Sequence, residues 1–293
     1  MRTNLELLHD TCVVILVINK LGSLGRLSIK SISDNSNCDL IVGYVNERDV
    51  DELREIDRIK FIQLEDIGEI ERENDFTKPD FFRIVAKKWE LFQKVLNMHY
   101  NFIVYSDTDV YWLTNPLPNL ISAFSKNPDW HLQIQSDTRR LDYLVPCMGF
   151  LAMRNTTLIK GVIEDCKAIH ERNVSNSLNM VGDDEVMREY VNGAQELNWY
   201  RELPQSTYPV GVLLSLYSKK TLFRGMPKIK PYIFHANYTV GEVKKHLLLS
   251  VFMQQYSGFE KIKNIKIRSH VIQLFLLKRI KRVLSNFRRV NFK

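Results

Sequence analysis

Asn101–Pro116, NFIVYSDTDVYWLTNP, is the stretch whose reading decides the fold. Phe102-Ile103-Val104-Tyr105 is apolar and rich in β-formers, the pattern of a buried central strand. It ends in Ser106-Asp107-Thr108-Asp109. Two carboxylates one residue apart at the end of a buried strand repel each other, and each loses hydration unless a cation compensates. In open α/β sheets, ligands collect outside the carboxyl ends of strands. Oxygen ligands suit Mg²⁺ or Mn²⁺, which bridge carboxylates to a substrate diphosphate. A bare Asp-x-Asp is also common as a solvated turn. The apolar strand before it and Val110-Tyr111-Trp112 after it favour a site.

Upstream, Thr11–Asn19 (TCVVILVIN) reads as a fully buried first strand, of the kind found in parallel sheets. Asn19–Gly25 turns into a helix that runs to about Ser33. Its glycines do not make a GxGxxG, so a dinucleotide site is not supported. Asp39–Val45 is a second strand, Glu47–Lys60 a charged helix, and Lys60–Leu64 a weaker third strand. This alternation predicts a doubly wound α/β sheet. Asp80–His99 is the helix feeding the key strand, with Phe82, Ala86, Trp89, Phe92, Val95 and Leu96 near helical spacing. Lys87 and Lys88 near its middle are either a solvated pair or cations reaching toward substrate phosphate or sugar.

Downstream, Leu132–Gln135 is a strand followed by a polar loop through Arg140, and Leu144–Met153 is a strand containing Gly149. A strand glycine marks close approach of a ligand or backbone, or else a bulge. Thr156–Arg172 reads as a helix. Asp183-Asp184-Glu185 precede the helical run Val186–Val191. They either cap that helix or contact sugar hydroxyls near a reacting carbon. A strand within Pro231–Tyr238 ends in His235. Asn237, Gly241, Lys244 and Lys245 follow, leading into an apolar helix. Imidazole is an accepted Mn²⁺ ligand, and lysines neutralise a diphosphate.

The 293 residues, 45% hydrophobic and 26% charged, suit one large α/β domain. The division predicted is a catalytic domain over 1–260 and a basic segment over 261–293. That segment holds 11 of the 41 Lys/Arg and none of the Asp/Glu, so the +7 net charge belongs to the tail and the body is mildly acidic. An acidic body speaks against nucleic acid as a partner. Ile262–Phe292 mixes apolar residues with lysine and arginine. It reads as an amphipathic helix resting on an anionic leaflet, or as a C-terminal helix packed on the body. Cys12–Ile18 is too short to span a bilayer and lacks a basic leader and cleavage site. The expectation is therefore a cytoplasmic protein without an N-terminal anchor, with peripheral membrane contact through 261–293. Cys12, Cys38, Cys147 and Cys166 are widely spaced, which predicts reduced thiols and no zinc site.

Taken in order, Lys88-x7-Leu96, Tyr105–Pro116, Leu132–Asp137 with Cys147-Met-Gly-Phe150, Asp183–Met187 and His235–Lys245 resemble the nucleotide-diphospho-sugar transferase family. These are glycosyltransferases of the glycosyltransferase-A fold, a group that includes plant pectin xylosyltransferases. The resemblance runs from about Thr11 to Leu249. The chain departs from the pattern where the family's glutamine falls on Asp184 and its asparagine on Arg188. The resemblance implies a single Rossmann-like domain with a mixed, mostly parallel sheet. It implies Mn²⁺ or Mg²⁺ held by Asp107, Asp109 and His235 on the diphosphate of a UDP- or GDP-sugar. Lys88, Gly149, Gly241 and Lys244 or Lys245 would lie on the donor, Thr108 or nearby backbone on the ribose, and Asn19 on the base. Asp183 or Asp184 would hold the sugar and stabilise the reacting carbon. Transfer with retention to a glycan, lipid-linked or protein-linked acceptor follows. Alternatives are a non-catalytic sugar- or membrane-binding relative and a sugar-nucleotide nucleotidyltransferase, though Lys20–Arg26 matches the latter's glycine-rich basic loop poorly. A haloacid-dehalogenase-type phosphatase would want Thr or Val at Tyr111.

Overall fold

The computed structural model describes residues 4–18, 21–68, 79–136, 145–175, 181–193, 198–211, 231–237, 245, 246 and 249. Asn19, Gly241, Lys244, the polar loop after Asp137 and the basic segment 261–293 lie outside the described residues. In chain order the elements are α1 (Asn4–His9), β1 (Thr11–Val17), α2 (Ser23–Asn35), β2 (Asp39–Tyr44), β3 (Ile59–Gln63), α3 (Pro79–Leu96), β4 (Phe102–Ser106) and β5 (Val110–Trp112). They continue with α4 (Leu117–Lys126), β6 (Leu132–Ser136), β7 (Pro146–Arg154), α5 (Thr157–Ser175), α6 (Asp183–Gly193), β8 (Tyr200–Glu202) and β9 (Ile233–His235).

The seven-stranded sheet has the order β3-β2-β1-β4-β7-β6-β8. β1 pairs parallel with β2 and β4, and β2 with β3. β7 runs antiparallel to both β4 and β6. The sheet is thus mixed and mostly parallel, as predicted. The reversal at β1, whose neighbours are β2 and β4, creates the crevice where α/β proteins bind ligands.

β1 shows why the strand is central. Cys12, Val14 and Leu16 enter one core with α3, α5 and α6, while Val13, Ile15 and Val17 enter a second core with α2 and α4. Both faces are covered, so an unbroken apolar run is required rather than an alternating one. β4 divides the same way, with Ile103 and Tyr105 on the first face and Phe102 and Val104 on the second. A two-stranded sheet, β5 with β9 antiparallel, lies on the second face and pairs Val110 with His235.

The charged helix expected over Glu47–Lys60 does not form. Short 3₁₀ turns at Glu47–Asp49 and Asp51–Leu53 take its place. Val50 and Leu53 are buried, with Ile56 partly buried against the same core. A repeat of three matches three residues per turn and not 3.6. The next helix ends at Leu96, short of His99, and α6 begins at Asp183, before Val186.

Candidate functional site

The Asp107–Asp109 corner is clamped by backbone on every side. After β4, Val110 N–H donates to Asp107 O (3.0 Å), closing a turn around Thr108. Asp107 N–H donates to Gly149 O on β7 (2.8 Å), and Ala236 N–H to Asp109 O beyond β9 (3.0 Å). From α2, Ser28 Oγ donates to Val110 O (2.5 Å). Thr108 is half-buried and faces the start of α2, where a Cβ on Gly25 would come within 3.4 Å of its own Cβ. The turn is therefore tied to β7, to the end of β9 and to α2 although it lies at a strand end.

Two lysines balance the acids. Lys88 is buried, not solvated as one reading of the sequence allowed. Its Nζ lies 3.2 Å from Asp107 Oδ1 and 2.7 Å from Asp183 Oδ2, and 5.1 Å from the centre of the Tyr105 ring. Burial alone would pull the Lys88 ammonium down, but the Asp107 and Asp183 carboxylates reverse this and hold it well above its usual range. Lys87, its neighbour, turns to Glu90 instead (2.7 Å). The helical period separates the two. Val85, Lys88, Phe92 and Val95 form one buried stripe, a signal present in the sequence and missed by treating the lysines alike.

Lys245 Nζ is 2.5 Å from Asp109 Oδ2. Burial opposes ionisation of Asp109, yet the Lys245 ammonium beside it holds its carboxyl far below the usual carboxylate range. Lys245 is raised in turn: Asp109, and Asp107 beyond it, outweigh its own burial. The next residue, His246, places Nε2 2.6 Å from Ser23 Oγ at the start of α2.

His235 ends β9 and points its Nε2 at Asp109 Oδ1 (3.2 Å). One ligand atom from each of Asp107, Asp109 and His235 lies within 4.8 Å of the other two. Carboxylate oxygens with one imidazole suit Mn²⁺ or Mg²⁺ and not a thiolate-seeking metal. The backbone makes room for this cluster. A Cβ on Gly149 would lie 2.1 Å from His235 Cε1, 2.6 Å from its Nε2 and 2.9 Å from Asp107 Oδ2. The strand glycine thus marks a close approach, and a register shift in the β6–β7 pairing falls opposite it. Gly149→Ala is expected to weaken Mn²⁺ binding at least about tenfold and to destabilise the fold by about 1–3 kcal/mol. Mn²⁺ titration and urea unfolding measure the two effects. Unchanged cation affinity would mean that the ring tolerates displacement.

The acids of α6 have separate surroundings. Asp183 is buried against Lys88. Asp184 Oδ1 accepts from Met148 N–H (2.6 Å), which ties α6 to β7. Glu185 accepts from Gly182 N–H (2.8 Å), an ordinary capping contact at the helix start.

The structure therefore brings Lys88, Asp107, Thr108, Asp109, Gly149, Asp183, Asp184, His235 and Lys245 to one end of the sheet. It adds residues that the sequence reading did not single out. Tyr105 Oη donates to Asp107 Oδ1 (2.6 Å), and Gln135 Oε1 lies 3.0 Å from His235 Nδ1. Gln135 carried a signal: it is a polar residue within a strand that proved buried along its whole length.

A family model for nucleotide-diphospho-sugar transferases matches residues 54–249, a span holding every described residue of the cluster. No curated protein matches the chain in sequence. Among solved structures, galactosyltransferase LgtC in complex with donor and acceptor sugar analogs superposes with a TM-score of 0.53 at 11% identity. The match covers 83% of this chain and 96% of that one, and it identifies the fold as glycosyltransferase-A. Apo mouse xyloside xylosyltransferase 1 gives a TM-score of 0.49 at 13% identity, covering 79% of this chain and 99% of that one.

Proposed function

The chain belongs to the nucleotide-diphospho-sugar transferase family and is a glycosyltransferase, and from that premise we propose that it moves a sugar from a nucleoside diphosphate, a UDP-sugar in the first instance, in a reaction that needs a divalent cation. The observation that carries this reading is the Asp107–Asp109–His235 cluster, with ligand atoms within 4.8 Å of one another at the carboxyl end of β4. Mn²⁺ or Mg²⁺ held there supplies Lewis-acid stabilisation of the departing diphosphate.

The chain's own residues do the rest of the work in this reading. Lys245, an ammonium beside Asp109, would meet the negative charge that develops on the leaving group. Thr108 stands at the corner beside α2, the position assigned to the ribose. Asp183, paired with Lys88, keeps the role implied by the family pattern, beside the reacting carbon. Asp184, tied to β7 through Met148 N–H, keeps the sugar-holding role implied by the family pattern. Asn19, Gly241 and Lys244 keep the donor roles implied by the family pattern. Retention at the anomeric carbon follows from the same pattern, and a glycan, lipid-linked or protein-linked acceptor is proposed.

Among the described residues no helix is long and apolar enough to cross a membrane. The basic segment 261–293 is proposed to rest on anionic lipid. Support comes from its composition alone, 11 Lys/Arg with no acid among apolar residues.

Thermal unfolding with UDP, GDP, CDP or ADP, each with and without Mn²⁺, tests the donor reading. Ligand at a hundred times its Kd stabilises by about 2.7 kcal/mol, a shift of roughly 5–10 °C for a domain of this size. A shift with one nucleotide, dependent on Mn²⁺, is the expected outcome. The absence of any shift would overturn the assignment.

A further inference from the structure

We propose that Gln135 is a positioning residue that fixes the proton of His235 on Nδ1 and so presents the bare Nε2 to the cation, an inference that rests on the cation-site reading above. Gln135 sits near the end of β6, fully buried. Its side-chain amide lies between two kinds of partner. On one side are backbone carbonyls only, Tyr208 O at 3.0 Å and Pro209 O at 3.4 Å. On the other is His235 Nδ1 at 3.0 Å.

Carbonyl oxygens accept and never donate, so the amide nitrogen must face Tyr208 and Pro209. Turning the amide over would set its oxygen against two other oxygens and leave its N–H groups against the ring. Gln135 Oε1 is therefore the atom that meets the imidazole, and Nδ1 must carry the hydrogen. Cys147 Sγ, 3.5 Å from the same nitrogen, is a longer and weaker acceptor on the same side. With Nδ1 protonated, the lone pair of the neutral ring is on Nε2. That is the nitrogen facing Asp109, and together with Cε1 it borders the space that Gly149 leaves open on the Asp107 side. A ligating histidine is commonly held in this way by an acceptor on its second nitrogen.

The bulge explains how a strand side chain reaches this position. The β6–β7 register shifts between Ile134 and Gln135, so that Gln135 stands opposite Cys147. Such a shift re-aims the side chains beside it. Gln133, two residues earlier on the same face, provides the comparison. It is also buried, and its Nε2 donates to Leu120 O (2.8 Å) with no contact to the site.

The test compares Gln135→Met with Gln133→Met. Both remove a buried amide and leave a backbone carbonyl without its partner, so both lower stability toward urea. Only Gln135→Met is expected to weaken Mn²⁺ binding, by about 10–100-fold, measured from the electron-spin resonance signal of free Mn²⁺. Gln133→Met is expected to bind Mn²⁺ as the wild type does. Nitrogen-15 spectroscopy of the imidazole is expected to show His235 Nδ1 protonated in the unmodified protein. Equal Mn²⁺ affinity in Gln135→Met and wild type, equal weakening by both variants, or an unprotonated Nδ1 would each overturn the inference. Failure of the wild type to bind Mn²⁺, with Nδ1 protonated as expected, would instead overturn the cation-site reading.

Discussion

Asp109→Asn is expected to lower sugar transfer about a thousandfold or more while the chain stays folded. The substitution keeps the shape of the side chain and removes its charge. Both carboxylate oxygens of Asp109 are engaged. One oxygen faces His235 at 3.2 Å and the other takes Lys245 at 2.5 Å. An amide can offer a cation only one neutral oxygen, and its N–H₂ would face either the ring or the lysine. Loss of the charge-assisted contact to Lys245 is expected to reduce stability by roughly 1–3 kcal/mol. The effect is bounded because the Lys245 side chain is 27% exposed and can turn to water. Transfer rates at saturating Mn²⁺, with circular dichroism as the control for folding, check both parts. Near-normal transfer would remove Asp109 from the cation site.

Lys88→Met is expected to have the largest effect on stability, about 3–5 kcal/mol. The side chain is of similar length, so packing changes little and the loss is electrostatic. Lys88 is only 7% exposed at its side chain, and Asp183 6%. Without the ammonium, the buried Asp183 is left beside Asp107, whose side chain is 29% exposed, and the Oη of Tyr105 remains as a donor to Asp107 alone. Lys94→Met on the same helix is the control. Lys94 pairs with Glu90 at 3.2 Å, but its side chain is 42% exposed, so its removal should change stability by no more than about 1 kcal/mol. Urea unfolding of the two variants decides the matter. Similar losses would mean that the buried triad is held by packing and not by charge. Saturating Mn²⁺ is expected to return part of the stability lost in Lys88→Met, because a cation on Asp107 replaces part of the missing charge.

The legible part of the fold was local. β1 and β4 announced themselves as apolar runs because both of their faces are covered, and α3 because Trp89, Phe92 and Val95 repeat at helical spacing. The turn bearing Asp107 and Asp109 was legible for the same reason: an abrupt change from apolar to acidic residues marks where a buried strand leaves the core. The Glu47–Lys60 segment was misread because its charges drew attention from the three-residue spacing of Val50, Leu53 and Ile56. The direction of β7 was not legible at all. An apolar run looks the same whether its partner is parallel or antiparallel, and only its pairing with β4 and β6 sets the direction.

The candidate site divides along the same line. The sequence by itself determined that the chain is an α/β protein with two acids at the end of its central strand, because periodicity and turn chemistry act over a few neighbouring residues. The tertiary structure decided which other residues meet them. Lys88 reaches Asp107 across 19 residues, Gln135 reaches His235 across 100, and Lys245 reaches Asp109 across 136. No local pattern encodes such distances. They follow from the order of strands in the sheet, and that order is set by burying both of its faces at once.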